Sequence, residues 1–226
     1  MHKTTVIILA SGSGERFKSD LPKQFCKLGE KSILEHTLER FSESLLVSGI
    51  VLVTDLEYSA CINPKAYKIQ HLIQGGKTRQ ESSFLGVSNC SPDTEYVLIH
   101  DGARPLTSVQ LIDRTINALT YHEAVACVIS SSDTVYQTDK NNNLQAIPDR
   151  KCLKQVQTPQ AFRYDLIKQA HQLAIKDKRQ DFSDDAGMVF HYNLAQVFLL
   201  QGEETNIKIT YPHDIDVAKQ IIGKNK

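Results

Sequence analysis

The chain has 226 residues, enough for one domain of ordinary size or for two small ones. Hydrophobic residues make up 41% of it and charged residues 23%, which excludes an intrinsically disordered chain and a fibrous one. Basic and acidic side chains number 26 each, so the formal net charge is zero. A protein dedicated to nucleic acids or to membrane surfaces needs a basic excess, so any anion-binding site here must be a local cluster of basic side chains.

Hydropathy and cysteine spacing disfavour several further classes of protein. No apolar run approaches the roughly 20 residues that a membrane-spanning helix needs. The apolar stretch at residues 6–10 is shorter than the apolar region of a secretory signal peptide, and a buried strand is the better interpretation. The five cysteines are odd in number, widely spaced and without a CxxC pair. This pattern disfavours structural disulfides and a zinc site, and it predicts a cytoplasmic protein.

Short apolar runs alternate with segments of helical period over the first 130 residues. Buried strands are predicted at residues 6–10, 50–54, 69–73, 96–100 and 125–129. A helix is predicted over residues 79–89, and two more begin at capping boxes, one formed by Ser32 with Glu35 and one by Thr107 with Gln110. This alternation predicts an α/β fold with a doubly wound, mostly parallel sheet, whose ligands bind at the carboxyl ends of the strands.

The alternation breaks after residue 130. Two polar strands at residues 134–138 and 144–147, with a turn rich in Asp and Asn between them, predict a hairpin. We call the protruding segment at about residues 132–156 the β-arm. Because a two-stranded ribbon is marginal in water, the β-arm is expected to pack on the same chain or on a second copy. Further helices are predicted at residues 164–176, near Ser183 and from Pro212, and further strands at residues 195–200 and 207–210. With no repeat and no linker, residues 1–226 are predicted to form one domain.

The loop after the first predicted strand is the strongest local signal for phosphate binding. It reads LASGSGERF from Leu9 and is followed by LPKQF from Leu21. Small residues after a buried strand let backbone N–H groups approach a phosphate chain, and Arg16 and Lys23 add separate positive charges. The loop lacks the third glycine of the dinucleotide fingerprint and the Gly-Lys-Ser/Thr of a P-loop. Alone, it is equally compatible with a tight turn carrying solvated basic residues.

A second candidate site is the HDGARP segment that begins at His100. An acidic side chain at the carboxyl end of a central strand can hold a hydroxyl group or a metal ion, which favours a functional Asp101 over an Asp–Arg pair that only fixes the loop. Arg104 is predicted to be chiefly structural, and His100 to be packed at the end of the strand. The sequence contains neither the GxSxG elbow of serine hydrolases nor the HExxH spacing of zinc enzymes, so it supports neither of these two classes.

Taken together, six segments resemble the cytidylyltransferase family that includes the 2-C-methyl-D-erythritol 4-phosphate and ribitol-5-phosphate enzymes. In chain order they are LASGSGERF with LPKQF, GGKTRQES, IHDGARP, DR with QTPQAF, SDDA and NIKIT. They run over nearly the whole chain. The resemblance implies a Rossmann-like nucleotidyltransferase fold and Mg²⁺ bound mainly through the phosphates of CTP. It also implies in-line attack of a polyol phosphate on the α-phosphorus of CTP, with release of pyrophosphate.

The resemblance also assigns roles to individual positions. The catalytic residues would be Arg16, Lys23 and Lys208. The nucleotide would be bound by Ala10, Ser11, Gly12, Gly14, Gly76, Arg79, Ser82 and Gly102. The acceptor would be bound by Asp101, Thr134, Arg150, Thr158 and Ser183. No protein metal ligand is implied. In the family the β-arm crosses to a second subunit, which implies a homodimer with shared sites and neither a nucleic acid nor a membrane as partner.

Four positions depart from the family pattern: Ser11 stands where Ala or Gly is usual, Phe17 where Met is common, Lys77 where an acidic residue can occur, and Ser183 where Thr is usual. Ser11 therefore adds a hydroxyl beside the base.

Three functions remain in competition at this point. HDGARP and SDDA favour methylerythritol phosphate as acceptor, and hence a role in non-mevalonate isoprenoid precursor biosynthesis. The IPDR segment at residues 147–150 is similar to the ribitol branch, so synthesis of CDP-ribitol is the alternative. A non-catalytic nucleotide-binding module is a remote third possibility, and the presence of all three basic catalytic positions disfavours it.

Overall fold

The computed structural model describes residues 2–12, 14–17, 19 and 21–224. The strands are β1 (Thr4–Ala10), β2 (Lys27–Leu28), β3 (Lys31–Ser32), β4 (Gly49–Thr54), β5 (Ile69–Gln74), β6 (Tyr96–Asp101), β7 (Ala124–Ser130), β8 (Gln137–Thr138), β9 (Leu144–Ala146), β10 (Lys154–Arg163) and β11 (Val197–Gln201). The helices are α1 (Ile33–Glu43), α2 (Arg79–Ser88), α3 (Val109–Ala118), α4 (Tyr164–Lys176), α5 (Asp185–His191) and α6 (Asp214–Lys224). Among the described residues, no helix has both the length and the apolar character to cross a bilayer.

Seven of the strands form one sheet in the order β11-β7-β10-β6-β1-β4-β5. Neighbouring strands run parallel except at β10, which is antiparallel to both β6 and β7. In the centre of the sheet, Val6 of β1 lies opposite Ile50 on one side and Leu98 on the other. The predicted mostly parallel sheet is confirmed. The antiparallel strand β10 was not predicted.

Helices cover both faces of this sheet, because the central strands are apolar on both sides. Ile8 of β1 packs in a cluster with Leu38 of α1 and Ile112 of α3. Its neighbour Ile7 points to the opposite face, into a cluster that includes Ile167 of α4. Each such fully buried side chain stabilises the fold by about 1.5–3 kcal/mol relative to an exposed one. The sheet is therefore doubly wound, as predicted.

The helix starts test the two predicted capping boxes. At α1, the Glu35 backbone N–H donates to Ser32 Oγ over 3.2 Å, and the Ser32 N–H donates to the Glu35 carboxylate over 2.7 Å, so this box is confirmed. The box predicted at Thr107 is wrong. Ser108 caps α3 by accepting from the Leu111 N–H, and the Thr107 hydroxyl is buried instead.

The last third of the chain brings one more correction. The strand predicted at residues 207–210 is wrong: this stretch is irregular, and it is tied to the rest of the fold by the Ile209 N–H, which donates to the Ala103 carbonyl over 2.9 Å. The helix near Ser183 exists, but Asp184 caps it, accepting from the Gly187 N–H over 3.1 Å. Ser183 is left exposed in the preceding loop.

The β-arm contains the predicted hairpin, with shorter strands than expected. β8 pairs antiparallel with β9, and the Asp139 carboxylate holds the turn by accepting from the N–H groups of Asn141 and Asn143. Residues 154–156 at its end already pair with β7 in the central sheet. Several large apolar side chains of the β-arm are exposed: Val135, Tyr136, Leu144, Ile147 and Val156.

Candidate active site

A cleft with a volume of about 380 Å³ opens at the carboxyl ends of the parallel strands. Its walls come from the loop after β1, the start of α2, the end of β6 and two more distant segments. The lining residues are Leu9, Ser11, Gly12, Lys23, Gln24, Gly76, Lys77, Thr78, Arg79, Ser82, Asp101, Ala103 and Lys208. Polar residues that are far apart in sequence thus meet at the carboxyl ends of the strands, where the predicted fold placed the ligand site.

The loop after β1 is folded back on the short 3₁₀ turn Lys23–Phe25. Gln24, which is buried, donates from Nε2 to the Ala10 carbonyl over 2.6 Å. Gly14 has a φ of +68°, a left-handed conformation that favours glycine, and a Cβ there would lie 3.4 Å from Lys23 Cγ. The loop therefore packs against the stem of Lys23 and leaves its ammonium at the cleft. Ser13 of this loop lies outside the described residues.

One end of the cleft includes two serine hydroxyls and the backbone of the glycines between β5 and α2. Ser82 Oγ accepts from the Gly76 N–H over 3.1 Å and lies 3.0 Å from Ser11 Oγ. A Cβ on Gly75 would fall 2.1 Å from the Ser11 Cβ, so the two loops approach each other as closely as a glycine allows. This end offers hydroxyl and backbone groups to a flat, neutral ligand group.

The other end carries lysine and arginine side chains. Burial lowers the pKa of Lys23 below the ordinary lysine value, and the nearby Lys208 and Arg16 charges lower it further. Lys208 is only 38% exposed, and Arg16 lies beside Tyr211 with its guanidinium carbon 6.0 Å from the ring centroid. Cations are brought this close together where an anion is to be bound. The arrangement suits a polyphosphate.

Asp101 also lines the cleft, and it contacts three cations. Its carboxylate is 2.8 Å from Lys208 Nζ, 3.4 Å from Arg79 Nε and 3.7 Å from Arg104 Nε. Burial opposes ionisation, but the three positive charges hold the pKa of Asp101 well below its usual range. Asp101 is thus an anion that pre-orients the cationic side chains around the cleft.

A buried polar layer supports Asp101 from behind. Thr158 Oγ1 accepts from the Asp101 N–H over 3.1 Å and lies 3.1 Å from His100 Nδ1. His100 is completely buried at the end of β6, as predicted, and burial lowers its pKa to about 3, so the ring is neutral. Asn206 donates to the Thr158 carbonyl over 2.8 Å and accepts from the Arg104 guanidinium through its own carbonyl over 2.8 Å. Arg104 thus has the structural contact expected of it.

Comparison with known proteins assigns this arrangement to a family. The family model described as IspD, 2-C-methyl-D-erythritol 4-phosphate cytidylyltransferase, matches residues 4–224. The chain belongs to this family. Two proteins of that name are similar to it over 100% of this chain and 99% of their own length, one from Lachnoclostridium phytofermentans at 36% identity and one from Clostridium novyi at 38%. A crystal structure of 4-diphosphocytidyl-2C-methyl-D-erythritol synthase from Anaerococcus prevotii is 31% identical, covers 98% of this chain and 99% of that one, and superposes with a TM-score of 0.86.

The structure brings together most of the site residues expected of the cytidylyltransferase family. Eight of them line the cleft: Ser11, Gly12, Lys23, Gly76, Arg79, Ser82, Asp101 and Lys208. Ala10, Gly14 and Gly102 shape the wall behind it, and a Cβ on Gly102 would lie 3.0 Å from the Ala10 Cβ. Arg16 lies close enough to Lys23 for its charge to act on that ammonium.

Four expected acceptor residues are not among the described residues that line the cleft. Thr134 and Arg150 are exposed on the β-arm, where the Arg150 guanidinium donates to the Ser132 carbonyl over 3.3 Å. Ser183 is exposed before α5, and Thr158 lies beneath Asp101 with its hydroxyl occupied. Within a single chain the described lining of the cleft therefore lacks the two β-arm residues.

Two residues that support the cleft were not singled out from the sequence. Gln24 fixes the loop after β1, and Asn206 joins the Lys208 segment to β10. Both lie inside the quoted segments LPKQF and NIKIT. Their burial, which is known only from the fold, distinguishes these two side chains from solvent-exposed amides. A single Gln or Asn in a loop gives no sequence signal that would identify it.

Proposed function

We propose that the chain transfers the cytidylyl group of CTP to 2-C-methyl-D-erythritol 4-phosphate, giving 4-diphosphocytidyl-2-C-methyl-D-erythritol and pyrophosphate. The observation that carries this proposal is the meeting of Lys23, Arg79 and Lys208 in one cleft of a chain without net charge. The relatives described above are named for this reaction. Their names do not favour the ribitol phosphate alternative.

The reaction asks the protein to position two anions and to stabilise charge that grows on the transferred phosphorus. An oxygen of the acceptor phosphate forms a bond to the α-phosphorus, and the bond from that phosphorus to the bridging oxygen of pyrophosphate breaks. We assign Lys23 and Arg16 to the triphosphate and Lys208 to the α-phosphate. The nucleophile is already an anion, so no general base is required.

The two ends of the cleft give the nucleotide a direction. The end with the lysine and arginine side chains suits the triphosphate, and the hydroxyl and backbone groups of Ser11, Gly76 and Ser82 suit the cytosine. Gly12 and Gly102 would lie along the ribose. Asp101 would accept a hydrogen bond from a hydroxyl of the acceptor, because an ionised carboxylate is an acceptor only.

We further propose that the active enzyme is a homodimer. Thr134 and Arg150 are exposed on the β-arm, and so are large apolar side chains of that arm, including Tyr136 and Ile147. A second copy would cover this apolar surface, and its Arg150 would supply the positive charge that the acceptor phosphate needs.

We infer that Mg²⁺ accompanies CTP and is held mainly by the phosphate oxygens. The described residues include no group of three or more His, Cys, Asp and Glu side chains that could hold a metal together. Asp101 is the single carboxylate among the described cleft-lining residues, and three cations already contact it. The side chains described in the cleft therefore do not fit a metal held by the protein itself.

The test is pyrophosphate release with CTP and Mg²⁺ and a panel of acceptors: methylerythritol phosphate, ribitol phosphate and ribulose phosphate. Turnover with methylerythritol phosphate and no more than a trace with the others supports the proposal. Turnover mainly with ribitol phosphate would replace the acceptor. CTP binding by calorimetry without any pyrophosphate release would leave only a nucleotide-binding module.

A further inference from the structure

Arg79 is held between two carboxylates from different parts of the fold. It begins α2 and lines the cleft. Its Nη1 donates to Asp185 Oδ2 over 2.8 Å, and its Nε lies 3.4 Å from Asp101 Oδ1. Asp185, in α5, is 1% exposed. Although burial opposes the charge, the two carboxylates raise the pKa of Arg79 above its ordinary value.

Asp185 has its own supporting chain of donors. Ser83 donates from Oγ to Asp185 Oδ1, because a carboxylate can only accept. The single hydroxyl proton of Ser83 is then used, so His171, whose Nε2 lies 3.2 Å from Ser83 Oγ, donates to it. Burial lowers the pKa of His171, which favours the neutral ring, and in that form the proton lies on Nε2 to make this contact. Ser83 and His171 are as buried as Asp185.

Both oxygens of the Asp185 carboxylate are engaged, Oδ1 by Ser83 and Oδ2 by Arg79. Gln160 accepts from the backbone N–H groups of Asp185 and Ala186 over 3.2 and 3.0 Å, so the start of α5 is fixed against β10 as well. The Arg79 guanidinium is therefore held between the fixed carboxylate of Asp185 and that of Asp101. These two contacts set its orientation at the cleft.

We propose that Asp185 is a positioning residue for nucleotide binding, acting through Arg79, with Ser83 and His171 holding its carboxylate. This rests on the proposed function, in which the cleft takes CTP. A pre-oriented guanidinium loses less freedom when the nucleotide arrives, so CTP binds more tightly. Within the SDDA segment, Asp185 is thus the member that acts on the cleft, and Asp184 is the helix cap.

A double-mutant cycle separates positioning from a structural role. Asp185→Asn in the wild-type background is expected to raise the KM and the dissociation constant for CTP roughly tenfold, with a smaller change in kcat. In an Arg79→Gln background the same substitution is expected to change CTP affinity less than about twofold, because the group it positions is gone. Asp181→Asn, which removes an exposed carboxylate four residues earlier that pairs with Arg179, is the matched control and should leave CTP affinity unchanged.

Equal losses of CTP affinity in both backgrounds would mean that Asp185 only stabilises the fold and would overturn the proposal. So would a wild-type dissociation constant in Asp185→Asn. If that variant does not fold, Ser83→Ala, which removes one donor to the carboxylate, takes its place in the same cycle and decides by the same criterion. Calorimetric CTP binding is read independently of pyrophosphate release, so loss of the proposed acceptor or reaction would not be mistaken for failure of this coupling.

Discussion

Lys208 Nζ lies 2.8 Å from Asp101 Oδ2, although the two residues are 107 positions apart in the chain. Lys208 belongs to an irregular segment, and two contacts hold that segment in place: the Ile209 N–H donates to Ala103, and Asn206 donates to Thr158. The ion pair therefore keeps the Lys208 ammonium at the cleft before any ligand is bound. In the proposed reaction, the α-phosphate of CTP would compete with Asp101 for the same ammonium.

Replacing Asp101 should separate nucleotide binding from acceptor binding. Asp101→Asn removes the negative charge that competes with CTP for Lys208, but it also removes the charge that orients Arg79 and Lys208 at the cleft. Because these two effects oppose each other, we expect the dissociation constant for CTP to change by less than about threefold. The acceptor loses a hydrogen bond to a charged group, so its KM should rise about tenfold to hundredfold. Steady-state kinetics and CTP calorimetry measure the two effects, with the exposed Asp93→Asn as control. A weaker CTP complex with an unchanged acceptor KM would contradict this assignment.

Lys23 and Arg16 should matter for turnover far more than for folding. Lys23→Ala and Arg16→Ala each remove a charge assigned to the triphosphate, and we expect kcat to fall about 10²- to 10³-fold. The thermal midpoint should change little, because Arg16 is exposed and Lys23 is a partly buried cation without a buried ion-pair partner of its own among the described residues. Lys27→Ala, an exposed lysine in the next strand, is the control. Near-wild-type turnover in either cleft variant would refute the role.

The strands and the cleft position were predictable because buried parallel strands are short apolar runs, and their carboxyl ends identify the cleft. β10 was missed for the opposite reason. Its centre is Gln157, Thr158 and Gln160, which are polar yet buried, and their amides and hydroxyl find partners only in the folded chain. No hydrophobic period marks such a strand.

The segment around Lys208 was, in contrast, predicted to be a strand although it is not one. Ile207 and Ile209 alternate with polar residues, which predicts a half-buried strand, yet residues 206–210 pair with no strand within the described part of the chain. Instead the two isoleucines pack with Phe17 and Ala218 in a small separate cluster beneath α6. The alternation of apolar and polar residues indicates which side chains are buried. A strand also needs a neighbouring strand whose backbone N–H and C=O groups are free to pair with it.

Protonation of His100 should make stability fall in mild acid. Its pKa is about 3 in the folded protein and near 6.5 when unfolded. Between these values the unfolded chain binds a proton that the folded protein does not, so the free energy of unfolding rises with pH and is lost as the pH falls. His100→Gln should reduce the slope of that free energy between pH 6 and 4 by up to about 1.4 kcal/mol per pH unit. Urea unfolding at several pH values measures it, and equal slopes would contradict the buried neutral ring.

Ser11 should influence the choice of base. Ser82 donates to the Thr78 carbonyl and accepts from Gly76, so the arrangement that satisfies every donor has Ser11 donating to Ser82. The remaining lone pairs of Ser11 Oγ can accept from the 4-amino group of cytosine but not from O4 of uracil. Ser11→Ala should lower the ratio of kcat/KM for CTP to that for UTP by roughly threefold to tenfold, while CTP turnover stays within about threefold. An unchanged ratio in competition assays would remove Ser11 from base recognition.

Shared sites between subunits can be tested by complementation. If Arg150 serves the partner's cleft, Arg150→Ala and Lys23→Ala are each inactive as homodimers, but a mixed dimer has one cleft with an intact Lys23 facing an intact β-arm. Co-expression with two tags and tandem purification isolates mixed dimers, and we expect about half of wild-type turnover per dimer from them. The matched control pairs Lys23→Ala with Arg16→Ala, in which each cleft carries a defect, and it should stay inactive. If the first mixed dimer is also inactive, Arg150 serves the cleft of its own chain, and an active Arg150→Ala homodimer would remove Arg150 from the site altogether. In either case the exposed apolar side chains of the β-arm need another explanation.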